Sequence, residues 1–128
     1  MILADTTVWI DFLAGRSVAR DLRSLLAANR IVCHPAVRGE IALGCIARRD
    51  EVLRLLSQLP CAPVIGDDEV FALIETGKLS ASGIGWIDAH LLASATAGGH
   101  LVWTGDKPLA RIASRLAVLA DPVDFDPK

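Results

Sequence analysis

Four acidic residues, Asp5, Glu40, Asp88 and Asp106, carry the chemical interest of this chain. Asp5 closes the apolar run Ile2-Leu3-Ala4, and Asp106 follows Leu101-Val102-Trp103 across Thr104 and Gly105. Short apolar runs without alternation read as strands buried on both faces. Both acids therefore fall on the carboxyl edge of a sheet, where open parallel sheets hold their ligands. Glu40 and Asp88 sit on predicted helices that follow loops on the same edge. Four carboxylates converging in one cleft repel one another and raise their pKa values unless a cation compensates. An all-oxygen set without Cys suits Mg²⁺ or Mn²⁺, which retain water and take few protein carboxylates. Such an ion activates a water and neutralises a phosphodiester in an in-line displacement, in one-metal or two-metal form. For Asp5 alone a plainer reading competes: it, or Thr6, caps the helix that begins there.

The elements that must position these acids follow from the apolar pattern. Val8, Trp9, Ile10 and Phe12 begin a helix that Gly15 interrupts, and residues 17–29 resume it with Val18, Leu22, Leu25 and Leu26 on one stripe. Ile31-Val32-Cys33 is a second strand. His34-Pro35 then opens a helix, with proline at a first-turn position, and that helix carries Val37, Glu40, Ile41, Ala42 and Cys45. Residues 50–59 form a further helix ended by Pro60, and Pro63-Val64-Ile65 reads as a short strand. Asp67-Asp68-Glu69 place negative charge at a helix N-terminus, where the macrodipole favours it, and read as capping rather than metal ligation. Residues 80–85 are a small-residue loop. Its Gly83 and Gly85 lack the third glycine and the preceding strand of a phosphate-binding loop. Residues 86–97 form a helix apolar almost all round, and its Asp88 needs a partner if buried. Gly98-Gly99 end that helix. A strand at residues 101–103, a helix at 109–116, a last short strand at Val118-Leu119 and a polar tail from Asp121 complete the chain. Strands alternating with helices predict an α/β sandwich around a short parallel sheet, as one domain over residues 1–128.

Composition narrows the partners. Thirteen basic against 15 acidic residues give a net charge of −2, with no basic block to announce nucleic-acid binding. With the four acids set aside as a metal site, the remainder carries 13 positive against 11 negative charges. Ten of the thirteen bases are Arg, suited to forked phosphate contacts. Cys33, Cys45 and Cys61 form no CxxC pair and read as buried free thiols in a reducing compartment. No basic leader precedes the first strand, and the uncharged run at residues 89–105 is broken by His90, Gly98-Gly99 and His100. The expectation is a soluble cytoplasmic protein with no membrane segment. An apolar fraction of 52% exceeds what buried strands alone require and suggests a surface that pairs with another chain.

The run Asp5-Thr6-Thr7-Val8-Trp9-Ile10-Asp11 resembles the opening of PIN-domain ribonucleases of the VapC toxin type. Glu40-Ile41-Ala42-Leu43-Gly44, Gly85-Trp86-Ile87-Asp88-Ala89-His90 and Trp103-Thr104-Gly105-Asp106-Lys107-Pro108-Leu109 are similar to its later motifs, in the same order. The resemblance covers essentially the whole chain. It implies a three-layer α/β/α fold, Mg²⁺- or Mn²⁺-dependent endonucleolytic cleavage of RNA, a homodimer and neutralisation by a VapB-type antitoxin. The four acids carry over as Asp5, Glu40, Asp88 and Asp106. Where the family often has a Thr-Ser pair after the first acid, this chain has Thr6-Thr7, a mild departure. Within that frame Asp5 and Asp88 are the leading metal ligands, and Asp106 completes the set directly or through water. Glu40 binds a second metal or orients the attacking water. Thr6 or Thr7, with Thr104, hold carboxylates by hydrogen bonds behind the ligands. His90, one turn into an apolar helix, reads as packed rather than as a base. Trp9, Trp86 and Trp103 read as core rather than as base-stacking platforms.

Other acid-after-strand architectures fit less well. A haloacid-dehalogenase-like phosphatase needs a second acid two positions after the first, where this chain has Thr7. A receiver-type signalling domain needs an acid pair at the first strand and an acceptor Asp after the third, but Asp5 stands alone and Gly66 follows Ile65. The closer rival is a non-catalytic PIN-like scaffold that binds RNA or protein without cutting, against which four retained acids argue.

Overall fold

A computed structural model describes residues 1–121 and Phe125. Three parallel strands form the central sheet: β1 (Ile2–Ala4), β2 (Ile31–Val32) and β3 (Leu101–Trp103), in the order β2-β1-β3. Ile2 pairs with Ile31 on one side and Leu101 on the other, and Ala4 pairs with Trp103. Successive residues of a strand point to opposite faces. Ile2, Leu3 and Ala4 are nonetheless all buried, so both faces of the sheet are covered. The covering helices are α1 (Thr6–Leu13), α2 (Val18–Ala27), α3 (Pro35–Leu43), α4 (Arg49–Ser57), α5 (Asp67–Thr76), α6 (Trp86–Gly98) and α7 (Lys107–Arg115). The result is the expected three-layer α/β/α arrangement.

Two apolar clusters hold the layers. The larger joins β1 and β2 to α1, α2, α3 and α4 through Leu3, Trp9, Leu25, Val37 and Leu56, among others. The second joins β3 to α6 and α7 through Leu92, Val102, Leu109 and Ile112. Each fully buried Leu, Ile or Val contributes about 1.5–3 kcal/mol to folding, so the sheet is a firm base for whatever stands on its edge. The chain leaves β1 toward β2 and later returns past β1 to β3. The strand order thus reverses at β1, and a crevice opens at the carboxyl end of β1, where such sheets bind ligands.

Several local expectations need correction. Pro63-Val64-Ile65 is not a strand. Pairing occurs earlier, as a single parallel bridge between Cys33 and Cys61, because Cys33 N–H donates to Pro60 and Ala62 N–H to Cys33, both at 2.8 Å. Pro63 lacks an N–H with which to extend that ladder. The last strand is likewise one bridge, Val102 to Leu119. α3 ends at Leu43, with Gly44 as its cap, and Cys45 lies outside the helix and is exposed. Cys61 is exposed too, so Cys33 is the one buried thiol of the three. Trp9 and Trp103 are core residues, but Trp86 is 41% exposed. Asp67, Asp68 and Glu69 do occupy the first turn of α5. The polar tail expected after Asp121 lies outside the described residues apart from Phe125, whose ring packs on Trp103. No helix among the described residues is long and apolar enough to cross a membrane.

Candidate active site

Asp5 follows β1 directly and starts α1. Its backbone N–H donates to Trp103 of the neighbouring strand at 3.0 Å, which ties the residue to the sheet edge. One carboxylate oxygen accepts from Val8 N–H at 3.2 Å, the bond of a helix cap, and from the Thr7 hydroxyl at 2.5 Å. The other oxygen accepts from the Thr104 hydroxyl. Capping and site placement are therefore not alternatives for Asp5. One oxygen serves the cap, and the carboxylate still faces the crevice.

The two threonines are themselves oriented. Thr7 Oγ1 accepts from Gly105 N–H at 2.8 Å, and Thr104 Oγ1 accepts from Asp106 N–H at 3.0 Å. A hydroxyl that already accepts a backbone N–H turns its single proton elsewhere, here to Asp5 in both cases. Asp106 caps α7 by accepting from Leu109 N–H at 3.1 Å. Asp88 sits in the first turn of α6 and accepts from Gly85 N–H at 3.3 Å. Glu40 projects from α3 and accepts from the Thr6 hydroxyl at 2.7 Å. All three threonines singled out in the sequence thus hold a carboxylate.

Asp5, Glu40, Asp88 and Asp106 line one cavity of about 230 Å³, together with Thr6, Thr7, Gly83 and Leu91. Thr104 is not in the lining and stands behind Asp5. Burial raises the Asp5 carboxyl above its ordinary 3.8, against the hydroxyl and N–H bonds that favour its charged form. Asp88 is raised by burial and further by the charges of Asp106, Asp5 and Glu40. None of the lining residues is cationic, so nothing in the wall offsets this repulsion. That is the electrostatic condition under which a divalent ion binds. Among the described residues no three such side chains are gathered as a ready-made cage. An ion that keeps several waters and takes one or two carboxylates fits this spacing better than one needing a closed shell.

Two lining residues escaped the sequence reading. Gly83 has a backbone φ of +91°, and a Cβ there would press on Pro108 at 3.4 Å. The loop glycines were the available signal. Leu91 lies three residues beyond Asp88 and so shares its helix face. His90 is not in the cavity. Its ring packs edge-to-face on Trp86 at 4.5 Å, and its Nε2 lies 3.5 Å from the Asp67 carboxylate. Asp11 pairs with Arg16 at 2.5 Å and takes no part in the lining.

Comparison with known proteins identifies the family of the chain. The PIN domain family model matches residues 2–115. Two curated proteins, each called Ribonuclease VapC32, from Mycobacterium tuberculosis strains CDC 1551 / Oshkosh and ATCC 25618 / H37Rv, are similar to the chain. Each is 45% identical to it over 125 residues, covering 96% of this chain and 99% of its own.

Proposed function

Since this chain belongs to the VapC-type PIN-domain ribonucleases, we propose that Asp5, Glu40, Asp88 and Asp106 are its catalytic residues, acting with Mg²⁺ or Mn²⁺. The protein is an endoribonuclease, the toxin of a toxin–antitoxin pair, and arrests growth by cutting RNA. The observation that carries the site assignment is the convergence of four carboxylates in one cavity without a compensating cation. When bound, the metal supplies Lewis-acid neutralisation at the phosphodiester and lowers the pKa of a water.

The chain's own residues do the rest. Asp5 and Asp88 would hold the ion, with Asp106 completing the set directly or through water. Thr7 and Thr104 fix both oxygens of Asp5, so its carboxylate cannot rotate as charge develops on the substrate; such supporting bonds are typically worth 10–100-fold in metal affinity or activity. Glu40, steadied by Thr6, faces the same cavity and orients the attacking water or takes its proton.

The proposed partners are RNA, a VapB-type antitoxin and a second copy of the chain. The groove between α3 and α4, walled by Pro35, Arg38, Gly39, Ala42 and Leu53, opens beside the helix that bears Glu40 and offers the antitoxin a seat. Light scattering should report about twice the 13.6 kDa chain mass. The proposed site of action is the cytoplasm. Titration of the purified protein with Mn²⁺ and Mg²⁺ tests the assignment. Thermal stabilisation that rises with either ion, together with RNA cleavage that stops in chelator, supports it. A melt indifferent to both ions sinks it.

A further inference from the structure

Residues 80–85 separate two cavities. One is the acidic cavity, with Gly83 in its wall. The other, of about 250 Å³, is lined by Ile74, Leu79, Ser80, Ile84, Trp86 and Ala89, among others. Positions 86 and 89 share one face of α6 while 88 and 91 share another, so the first turns of that helix wall both cavities.

Trp86 is 41% exposed and Phe71 55% exposed, and their ring centroids lie 4.9 Å apart. His90 meets the indole edge-to-face. The indole is thus braced by two rings yet keeps open area beside an apolar cavity. Among the described residues this is the one aromatic pair in which both rings are exposed. Between the cavities, Gly83 and Gly85 are exposed, and a Cβ on Gly85 would meet nothing within 4 Å. A strand with a phosphate in the acidic cavity would pass these two glycines, which present no side chain, to reach Trp86.

We propose that Trp86, braced by Phe71 and His90, stacks an unpaired base of the RNA adjacent to the scissile phosphate. This rests on the ribonuclease reading above and deepens it to a single-stranded substrate held at a base subsite. Unpaired RNA bases splay out and stack on aromatic side chains. Such stacking tolerates any base because each has a π-face. Selection among bases then falls to the wall of the cavity that Trp86 lines together with Leu79, Ser80 and Ile84.

The test compares steady-state cleavage of a single-stranded RNA by wild type, Trp86→Ala, Trp86→Phe and Gly85→Leu. Trp86→Ala should raise KM about tenfold, in the lower part of the range for one base–aromatic stack, with kcat nearly unchanged. Trp86→Phe should recover most of that loss. Gly85 has φ −96°, which any residue adopts, so Gly85→Leu should fold and raise KM by obstructing that path. In an Asp5→Asn background, RNA should quench tryptophan emission, and Trp86→Ala should remove the quench, because Trp9 and Trp103 are buried. An unchanged KM in Trp86→Ala overturns the subsite and leaves the ribonuclease reading standing. A rise in KM accompanied by a halved assembly mass overturns it as well, and assigns Phe71 and Trp86 to contact between two copies. Wild-type protein that neither binds nor cuts RNA overturns the ribonuclease reading and the subsite together.

Discussion

Replacing Asp88 by Asn should make the metal-free protein more stable and the enzyme nearly inactive. Burial and the charges of Asp106, Asp5 and Glu40 disfavour the Asp88 carboxylate. Asn is the same size and keeps an oxygen for Gly85 N–H. Removing an unfavourable charge by a single substitution commonly yields about 0.5–2 kcal/mol. Asp88 is only half-buried, and solvent screens part of the repulsion, so the lower end, about 0.5–1 kcal/mol, applies here. At this chain length 1 kcal/mol moves Tm by roughly 4 °C, giving a rise of about 2–4 °C in chelator. Metal reverses the ranking. Wild type at a hundredfold excess of metal over Kd gains about 2.7 kcal/mol, and a variant short of one ligand gains much less. The pH dependence carries its own sign. Asp88 binds its proton more tightly folded than unfolded, so its contribution favours folding at low pH. That contribution is lost as pH rises from 3.8 through the raised folded value. The Tm advantage of Asp88→Asn in chelator should therefore vanish at the acid end of that window and grow above it. Thermal melts of both proteins, in chelator and in Mn²⁺, across that range are the assay. A variant that melts below wild type in chelator, or that keeps the full metal-linked rise, would refute the reasoning.

Other expectations follow from individual bonds. Thr104→Val removes a donor to Asp5 and the acceptor of Asp106 N–H, so metal affinity measured by calorimetry should fall about 10–100-fold; an unchanged affinity would mean Asp5 needs no such support. His34 is 4% exposed, caps α3 through its ring nitrogen at 3.0 Å from Ala36 N–H, and has its pKa lowered from 6.5 by burial, with His90 adding to the effect. Its neutral form therefore stabilises the fold, and that stability is lost as pH falls below 6.5. His34→Asn keeps a capping acceptor and should flatten this acid-side loss, which paired urea titrations on either side of 6.5 would detect.

The sequence exposed the fold where one physical cause dominated. Runs such as Ile2-Leu3-Ala4 and Leu101-Val102-Trp103 are buried on both faces and have few other uses. The placement of Asp5 and Asp106 at one edge follows once those strands are parallel. Side-chain pairs far apart in the chain, such as Thr6 with Glu40 and Thr104 with Asp5, could be suggested only as types and not as partners. The edge pairings were less legible. A lone bridge at Cys61 is decided by which residue near Pro60 and Pro63 still has an N–H to give. Trp86 was misjudged because an apolar residue in an apolar helix reads as core, and periodicity is weakest in the first turn. It stands beside the loop at 80–85, whose left-handed Ala81 and Gly83 leave no sequence pattern beyond small residues.

The account turns on whether these carboxylates cut RNA through a bound metal. The most direct measurement is cleavage of single-stranded RNA by wild type and Asp5→Asn in one Mg²⁺ or Mn²⁺ buffer, with chelator as the blank and circular dichroism to show that both are folded. Cleavage by wild type, none in chelator, and in folded Asp5→Asn a loss larger than the roughly 10–100-fold typical of residues that only support a ligand is the predicted result. Cleavage that persists in chelator, or Asp5→Asn working at the wild-type rate, would contradict it.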